Sequence, residues 1–182
     1  MGSEMCIRDR SSSANYGGIG AVIAHEISHA FDTNGASFDE FGSLNNWWTD
    51  KDYESFKVRT EQIVAQFDGL DSYGAKVNGH LTVSENVADL GGLAAALEAA
   101  KRDDDFSATE FFENWAAIWR MKARPEYMKL LAASDPHGPA KLRVNIQVKN
   151  FDDFFATFNV KQGDNMWPVS YTHLTLPTTE RV

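Results

Sequence analysis

The chain has 182 residues, of which 43% are hydrophobic, and this is enough for one domain with its own core. A formal net charge of −9 argues against a nucleic-acid partner, which requires a basic surface. The sequence contains no run of 18 apolar residues, so it predicts no membrane-spanning segment. Because Cys6 is the single cysteine, any metal must be held by imidazoles and carboxylates.

The two ends of the chain differ in character from the middle. Residues 1–13 and 169–182 are polar, lack sustained periodicity and resemble translated sequencing-adapter DNA. We therefore predict that they are foreign, disordered tails. The alternative is that they are genuine flexible termini, and neither interpretation gives them a function. Residues 14–168 remain as one predicted domain.

The first part of this domain predicts helices. One helix is predicted over residues 17–31, and its apolar residues recur at helical spacing as a single stripe. The stripe consists of Ile19, Ile23, Ile27 and Ala30. Asn34-Gly35 breaks the pattern, and residues 38–41 alternate loosely enough for a short strand or hairpin. A second helix is predicted over 47–67, with Thr49 or Asp50 as its cap.

The second part predicts further helices joined by loops. Residues 69–79 predict a loop, and Ser84 is a good N-cap for the helix that follows it. The apolar stripe of that helix consists of Val87, Leu90, Ala94 and Leu97. A later stripe of aromatic residues is typical of a core, and its members are Phe111, Phe112, Trp115 and Trp119. Pro125 starts a short helix, residues 134–139 form a rigid loop, and 151–158 form a last helix. The predicted fold class is mainly α, with little strand.

The first predicted helix contains a metal-binding pattern. His25-Glu26-Ile27-Ser28-His29 is an H-E-x-x-H sequence, and two histidines four residues apart project from one face of a helix. Zinc suits such neutral nitrogen ligands. Glu26 lies about 100° round the helix from His25, where it can approach a water without displacing a ligand.

Two histidines leave a zinc site one ligand short, and two later carboxylates are candidates. Glu85 and Asp89 are four residues apart on one helix face, so one can bind the metal while the other holds an imidazole N–H. The alternative is that acidic residues early in a helix only complement its dipole. Asp32, three residues past His29, is a second candidate for orienting a histidine.

At this point the sequence resembles a known family, the neprilysin-type zinc metallopeptidases. The resemblance is carried by four segments in order, which cover nearly all of residues 15–167. They are Asn15-Tyr16-Gly17-Gly18-Ile19-Gly20 running into the H-E-x-x-H sequence, Ser84-Glu85-Asn86-Val87-Ala88-Asp89, Asp135-Pro136-His137 with Arg143-Val144-Asn145, and Gly163-Asp164-Asn165-Met166-Trp167.

The resemblance implies a ligand set and the groups that orient it. One zinc ion per chain would be held by His25, His29 and Glu85. Asp89 would orient one ligand histidine and Asp32 the other.

The resemblance also implies the catalytic roles. Glu26 would be the general base for a zinc-activated water. His137 would stabilise the oxyanion and Arg143 would bind a substrate backbone carbonyl. Without the resemblance, His137 is a turn residue and Arg143 a surface charge.

The expected function is therefore that of a zinc metalloendopeptidase that hydrolyses oligopeptides, with a partial thermolysin-like zincin fold. Peptide substrates are the expected partners, and oligomeric state is not predicted. By family habit we expect a location outside the cytoplasm, whether periplasmic, secreted or membrane-anchored. The main alternative is a zinc-binding fragment that is catalytically silent alone, because the upstream substrate-binding portion is missing. An aminopeptidase with the same H-E-x-x-H sequence is a third hypothesis.

Overall fold

The computed structural model of the protein describes residues 10–168. Over this range the chain forms eight α-helices and one two-stranded hairpin. The helices are α1 (Ser12–Asn15), α2 (Ala21–Ser28), α3 (Asp50–Phe67), α4 (Gly79–Ala100), α5 (Ala108–Ile118), α6 (Pro125–Ser134), α7 (Ala140–Gln147) and α8 (Asp152–Phe158). The strands are β1 (Asp71–Ser72) and β2 (Ala75–Lys76), which pair antiparallel. The expectation of a mainly α fold with little strand is confirmed.

The first helical run is longer than the predicted 17–31. It starts with α1, continues through a π-helical turn over Tyr16–Gly20 into α2, and ends in a 3-10 turn over His29–Phe31. Ser11 caps its start, and the buried Ser13 hydroxyl accepts a hydrogen bond of 2.8 Å from the backbone N–H of Ser107. The predicted tail 1–13 therefore overlaps a packed helix at its end, whereas residues 1–9 and 169–182 lie outside the described residues.

The predicted second helix and loop are confirmed, with one addition. Helix α3 starts after Thr49, whose hydroxyl accepts a hydrogen bond from the backbone N–H of Asp52. The loop that follows contains the hairpin, whose turn residues Tyr73 and Gly74 have φ values of 55° and 78°. Positive φ at both positions is the geometry that suits a two-residue hairpin turn, and glycine adopts it without strain.

The start of α4 corrects the sequence prediction. Ser84 is not an N-cap, because α4 starts at Gly79 and is capped by Asn78, whose side chain accepts a hydrogen bond from the N–H of Leu81. Helix α4 is the longest element of the described chain, with 22 residues. Ser84 therefore lies inside the helix, and its hydroxyl is available for contacts with other elements.

The core lies between α4, α5 and the elements around them. The predicted aromatic stripe is confirmed, since Phe111, Phe112 and Trp115 are buried and Trp119 packs against them. Pro125 starts α6 as predicted, and α8 spans nearly the predicted range. Helix α7 was not predicted. It is joined to α4 by Gln147, whose buried side-chain amide donates a hydrogen bond of 2.9 Å to the carbonyl of Asn86.

Helices α2 and α4 pack unusually closely. A Cβ atom placed on Gly92 would lie 2.4 Å from the backbone nitrogen of His25, so only glycine fits there without a shift of the helices. One turn further along α2, a Cβ atom on Gly91 would lie 3.0 Å from the Ser28 hydroxyl. This close approach brings the residues of α4 to the H-E-x-x-H residues.

The apolar stripe of the first helix does not face this core. Ile19, Ile23 and Ile27 are 40%, 54% and 64% exposed, although such a stripe usually marks the buried face of a helix. The reason is that α4 packs against the opposite face of α2, on which the backbone of His25 meets Gly92. The helix is thus apolar on two sides, and one of them is uncovered in the described residues.

Within residues 10–168, no helix combines the length and the apolar character needed to cross a bilayer.

Candidate metal centre

Three side chains from the two packed helices converge on one point. His25 lies on α2, His29 on the 3-10 turn that follows, and Glu85 near the middle of the first half of α4. One ligand atom from each lies within 4.8 Å of the others. Glu85 faces both rings, with Oε2 at 3.3 Å from His25 Nε2 and Oε1 at 3.7 Å from His29 Nε2.

The ring of His25 is supported from behind by a buried ion pair. Its Nδ1 lies 2.9 Å from Asp89 Oδ1, although the N–H is not aimed well enough for a regular hydrogen bond. Arg143 donates two hydrogen bonds to the same carboxylate, of 2.7 Å from Nε and 2.6 Å from Nη2. The guanidinium stacks on Trp119, 3.8 Å from the ring centroid. Burial alone would lower the pKa of His25, but Asp89 outweighs this effect, and the pKa is raised.

The ring of His29 is supported by a loop carboxylate. Its Nδ1 lies 2.6 Å from Asp32 Oδ2, and Asp32 is only 2% exposed. Asp32 Oδ1 accepts hydrogen bonds of 2.7 Å from the backbone N–H groups of Asn34 and Gly35. Burial would raise the pKa of Asp32, but these bonds and one from Ser84 outweigh it, so the pKa is lowered. An ionised Asp32 accepts a hydrogen bond from the Nδ1–H of His29, which leaves the lone pair on Nε2 available to a metal.

These residues fit a zinc ion. Each histidine has a carboxylate at Nδ1 and presents Nε2 to Glu85, the arrangement that fixes ring orientation in zinc proteins. Two imidazole nitrogens and one carboxylate are also a ligand set found in catalytic zinc sites. Glu85 Oε2 is buried and has no hydrogen bond of regular geometry among the described residues, as expected for an atom reserved for a metal.

A third histidine lies at the edge of this group. His137, in the loop before α7, has Nε2 at 3.2 Å from Glu85 Oε2, and its side chain is 49% exposed. Asp135 fixes it, because Oδ1 accepts hydrogen bonds of 2.8 Å from both the backbone N–H and Nδ1 of His137. Burial would raise the pKa of Asp135, but these bonds outweigh it and lower the pKa. His137 is therefore oriented towards the cluster but open to solvent.

A small cavity of about 280 Å³ lies beside the cluster, between α2, α5 and α7. Its lining residues are Val22, His25, Glu26, Asp89, Trp115, Trp119, His137 and Arg143. Glu26 is exposed and lines this cavity together with His25 and His137, so a molecule bound there meets all three side chains.

The structure thus brings every predicted site residue into one region. Arg143 is buried there and is not the surface charge that its sequence context alone suggests. Arg143 is 6% exposed, and two of its three guanidinium nitrogens are occupied by Asp89, which leaves Nη1 for another partner. Sequence reasoning missed Asp135, Trp119 and Ser84 as neighbours of the site. The Asp-Pro-His sequence could have indicated the first, because aspartate often caps the backbone N–H two residues later. No sequence signal indicated the other two.

The helical fold and the H-E-x-x-H group opposite a helix-borne glutamate define a partial zincin-type domain. The sequence profile of Peptidase family M13 matches residues 7–174, beyond both predicted domain boundaries. The chain belongs to Peptidase family M13, which confirms the resemblance to neprilysin-type peptidases.

Related proteins support this assignment. The neutral endopeptidase of Lactococcus lactis subsp. lactis strain IL1403 is 54% identical over 159 residues, which are 87% of this chain and 25% of that protein. The crystal structure of PepO from Lactobacillus rhamnosis HN001 superposes with a TM-score of 0.82 at 46% identity, over 88% of this chain and 26% of that one. Zinc metalloprotease ZMP1 of Mycobacterium tuberculosis, in complex with an inhibitor, gives 0.80 at 37%, over 88% and 27%. The chain therefore spans about a quarter of the length of these relatives.

Proposed function

We propose that this chain carries the metal centre of a zinc metalloendopeptidase that hydrolyses oligopeptides. The observation that carries the proposal is the convergence of His25, His29 and Glu85, each with a ligand atom within 4.8 Å of the others. Family membership and relatives that are named neutral endopeptidase and zinc metalloprotease support it.

In this proposal these three residues hold one zinc ion. Bound there, zinc would act as a Lewis acid that lowers the pKa of a water and polarises a carbonyl. Asp89 and Asp32 hold the rings of His25 and His29 with Nε2 towards the metal. Three protein ligands leave a fourth position open, which favours a catalytic over a structural site.

Glu26 is the proposed general base. It accepts a proton from the attacking water and later delivers it to the leaving amine. Its exposed carboxylate lines the same cavity as His25, so it can reach a substrate bound there. No covalent intermediate with the protein is required, and so no serine nucleophile is assigned.

His137 and Arg143 are proposed to bind the substrate. The Nε2 of His137 lies 3.2 Å from Glu85 Oε2. Since Nδ1 donates to Asp135, His137 donates from Nε2 as an imidazolium, and in this form it stabilises the oxygen that becomes negative during attack. For Arg143, the role of binding a substrate carbonyl falls to Nη1, since Nε and Nη2 are paired with Asp89. The same guanidinium thus orients the carboxylate behind His25 and borders the cavity.

The second candidate function is a zinc-binding fragment that is silent alone. The uncovered stripe of Ile19, Ile23 and Ile27 favours it, because this side of the metal-binding helix lacks a partner in the described residues. Relatives about four times as long have further chain that could cover such a surface. In this second proposal, peptide hydrolysis requires further chain that covers this surface, and the 182-residue chain alone binds zinc without cleaving peptides.

The first test is the zinc content of the purified chain beside Glu85→Ala. We expect one zinc per wild-type chain and a loss or strong weakening in the variant, because one of three ligands is removed. Glu61→Ala, which removes an exposed glutamate from α3, is the control and should retain zinc. Equal zinc content in wild type and Glu85→Ala would contradict the ligand set.

The second test is hydrolysis of an oligopeptide with a blocked N-terminus, which an aminopeptidase would not cleave. Glu26→Gln should keep its zinc and lower the rate by about 10²–10⁴-fold, the usual contribution of a general base. Full activity in this variant would contradict the mechanism. A chain that binds zinc but cleaves nothing would support the silent fragment.

A further inference from the structure

Ser84 joins α4 to the loop that supports His29. Its hydroxyl donates a hydrogen bond of 2.5 Å to Asp32 Oδ2 and accepts one of 3.1 Å from Asn34 Nδ2. Ser84 directly precedes Glu85 in α4. One side chain thus connects the helix that carries the proposed third ligand to the loop that orients the second.

Asp32 is the centre of this loop, and its carboxylate accepts four hydrogen bonds. Backbone N–H groups from Asn34 and Gly35 bind Oδ1, whereas His29 Nδ1 and the Ser84 hydroxyl share Oδ2. The two bonds at Oδ1 are made within the loop itself. Ser84 is therefore the group that fixes the carboxylate relative to α4 rather than relative to its own loop.

We propose that Ser84 is a positioning residue for the metal centre, which holds the Asp32–His29 pair at a set distance from Glu85. The inference rests on the proposed zinc site and adds a residue that acts through another residue rather than on the metal. Ser84 contributes by keeping His29 and Glu85, which lie on different elements, at a fixed distance and orientation.

The need for such a contact is greater at His29 than at His25. The His29 side chain is 30% exposed, compared with 8% for His25, so the surrounding core restrains it less. Asp89, which supports His25, lies on α4 itself and needs no connection to that helix. Asp32 lies on a different element, and the Ser84 hydroxyl supplies the connection.

The test is the zinc dissociation constant of the full chain, measured by competition with a chromophoric chelator. Ser84→Ala should weaken zinc binding about tenfold, at the lower end of the effect of groups that orient metal ligands. Because alanine favours helices more than serine does, the variant should fold as well as the wild type. Ser84→Thr retains a hydroxyl on Cβ and should restore most of the zinc affinity.

Two further measurements separate positioning from a general structural effect. In an Asp32→Ala background, Ser84→Ala should weaken zinc no further, because its partner is already absent. In the metal-free protein, the ¹⁵N resonance of His29 Nδ1 should shift in Ser84→Ala and return towards the wild-type value in Ser84→Thr. Ser55→Ala, which removes a hydroxyl bonded within α3, is the control for both measurements.

The outcomes distinguish this inference from the proposed function. If the wild type binds no zinc, both fail. If the wild type binds zinc and Ser84→Ala binds it equally well, the role of Ser84 is wrong and the metal site stands. A loss of affinity that is the same with and without Asp32 would also overturn the inference, because Ser84 would then not act through that carboxylate.

Discussion

The two histidines of the candidate metal centre have the same kind of partner, a carboxylate at Nδ1, but the two carboxylates are held in different ways. Asp89 lies in the middle of α4, is 1% exposed and forms a bidentate ion pair with Arg143, which neutralises its charge. Asp32 lies in a loop and is held by neutral donors, which are two backbone amides and the Ser84 hydroxyl.

This difference separates stability from function. A buried carboxylate paired with arginine leaves an uncompensated charge when either partner is lost, so the fold depends on it. A carboxylate held by amides and a hydroxyl leaves only neutral donors unpaired when it is lost, which costs less than an unpaired buried charge. Its loss should therefore mainly affect the histidine that it orients. We therefore expect changes on the His25 side to alter unfolding, and changes on the His29 side to alter zinc affinity.

The largest expected effect is that of Asp89→Ala. The substitution buries the Arg143 charge without a partner, which typically costs about 3–5 kcal/mol in the free energy of unfolding. Urea unfolding of the metal-free chain would measure it. The control is Asp153→Ala, which removes an exposed ion pair with Lys101 and should cost about 1 kcal/mol or less. Equal costs for the two variants would remove the contrast between the sites.

Gly92→Ala tests whether the His25 side depends on the close approach of the helices. A Cβ atom there would meet the backbone of His25 at 2.4 Å, and such overpacking usually costs about 1–3 kcal/mol. Gly91→Ala is the matched control, because its Cβ would meet the side chain of Ser28, with the hydroxyl at 3.0 Å, rather than backbone. If the midpoint of thermal unfolding falls equally in both variants, the loss of stability comes from any added methyl group on α4 and not from the contact with His25.

Asp32→Ala tests the His29 side. Loss of a carboxylate that orients a ligand histidine typically weakens metal binding about 10–100-fold, and we expect this in chelator competition. Asp39→Ala is the control, since Asp39 also accepts backbone N–H groups in a loop but contacts no histidine. Weakening of zinc binding by both variants would mean that loop order, rather than the contact with His29, controls affinity.

The smallest expected effect is a difference in pH dependence between the two sides in the metal-free chain. The pKa of His25 is raised above 6.5, so its contribution to stability is present below that pH and lost as the pH rises through the folded-state pKa. His25→Gln should therefore cost more at about pH 5.5 than at about pH 9. The pKa of Asp32 is lowered, so its contribution is present above 3.8 and lost as the pH falls through the folded-state pKa.

Unfolding curves of His25→Gln between about pH 5.5 and about pH 9, and of Asp32→Ala between about pH 3 and about pH 6, would measure these contributions. If the loss of unfolding free energy in Asp32→Ala grew towards acid pH, the lowered pKa of Asp32 would be wrong.

Patterns with one strong local signal were predictable. The H-E-x-x-H spacing predicted two histidines on one side of a helix, and both face Glu85. Thr49 was one of the two predicted caps of α3, and Pro125 marked the start of α6. These signals work because a cap or a fixed φ acts on a few neighbouring residues only.

The features that sequence did not predict depend on distant partners. Ser84 looks like a cap by residue type, but Asn78 starts the helix and leaves Ser84 to bind Asp32 across 52 positions of the chain. Arg143 looks like a surface charge until α7, fixed by Gln147, places it against Asp89. The isoleucine stripe is of the kind that usually marks a buried face, but burial also requires a partner, which the described residues do not provide.

The π-helical turn over Tyr16–Gly20 sets the rotation of α2, the helix that carries His25. A π turn contains about one residue more than an α turn, and each residue advances a helix by about 100°. Helix α1 is fixed to α5 by Ser13, while α2 is fixed to α4 by the contact at Gly92. Deleting one residue from this turn would therefore rotate α2 by about 100° relative to α1. Either α1 would then lose its contact with α5, or both imidazoles would turn away from Glu85.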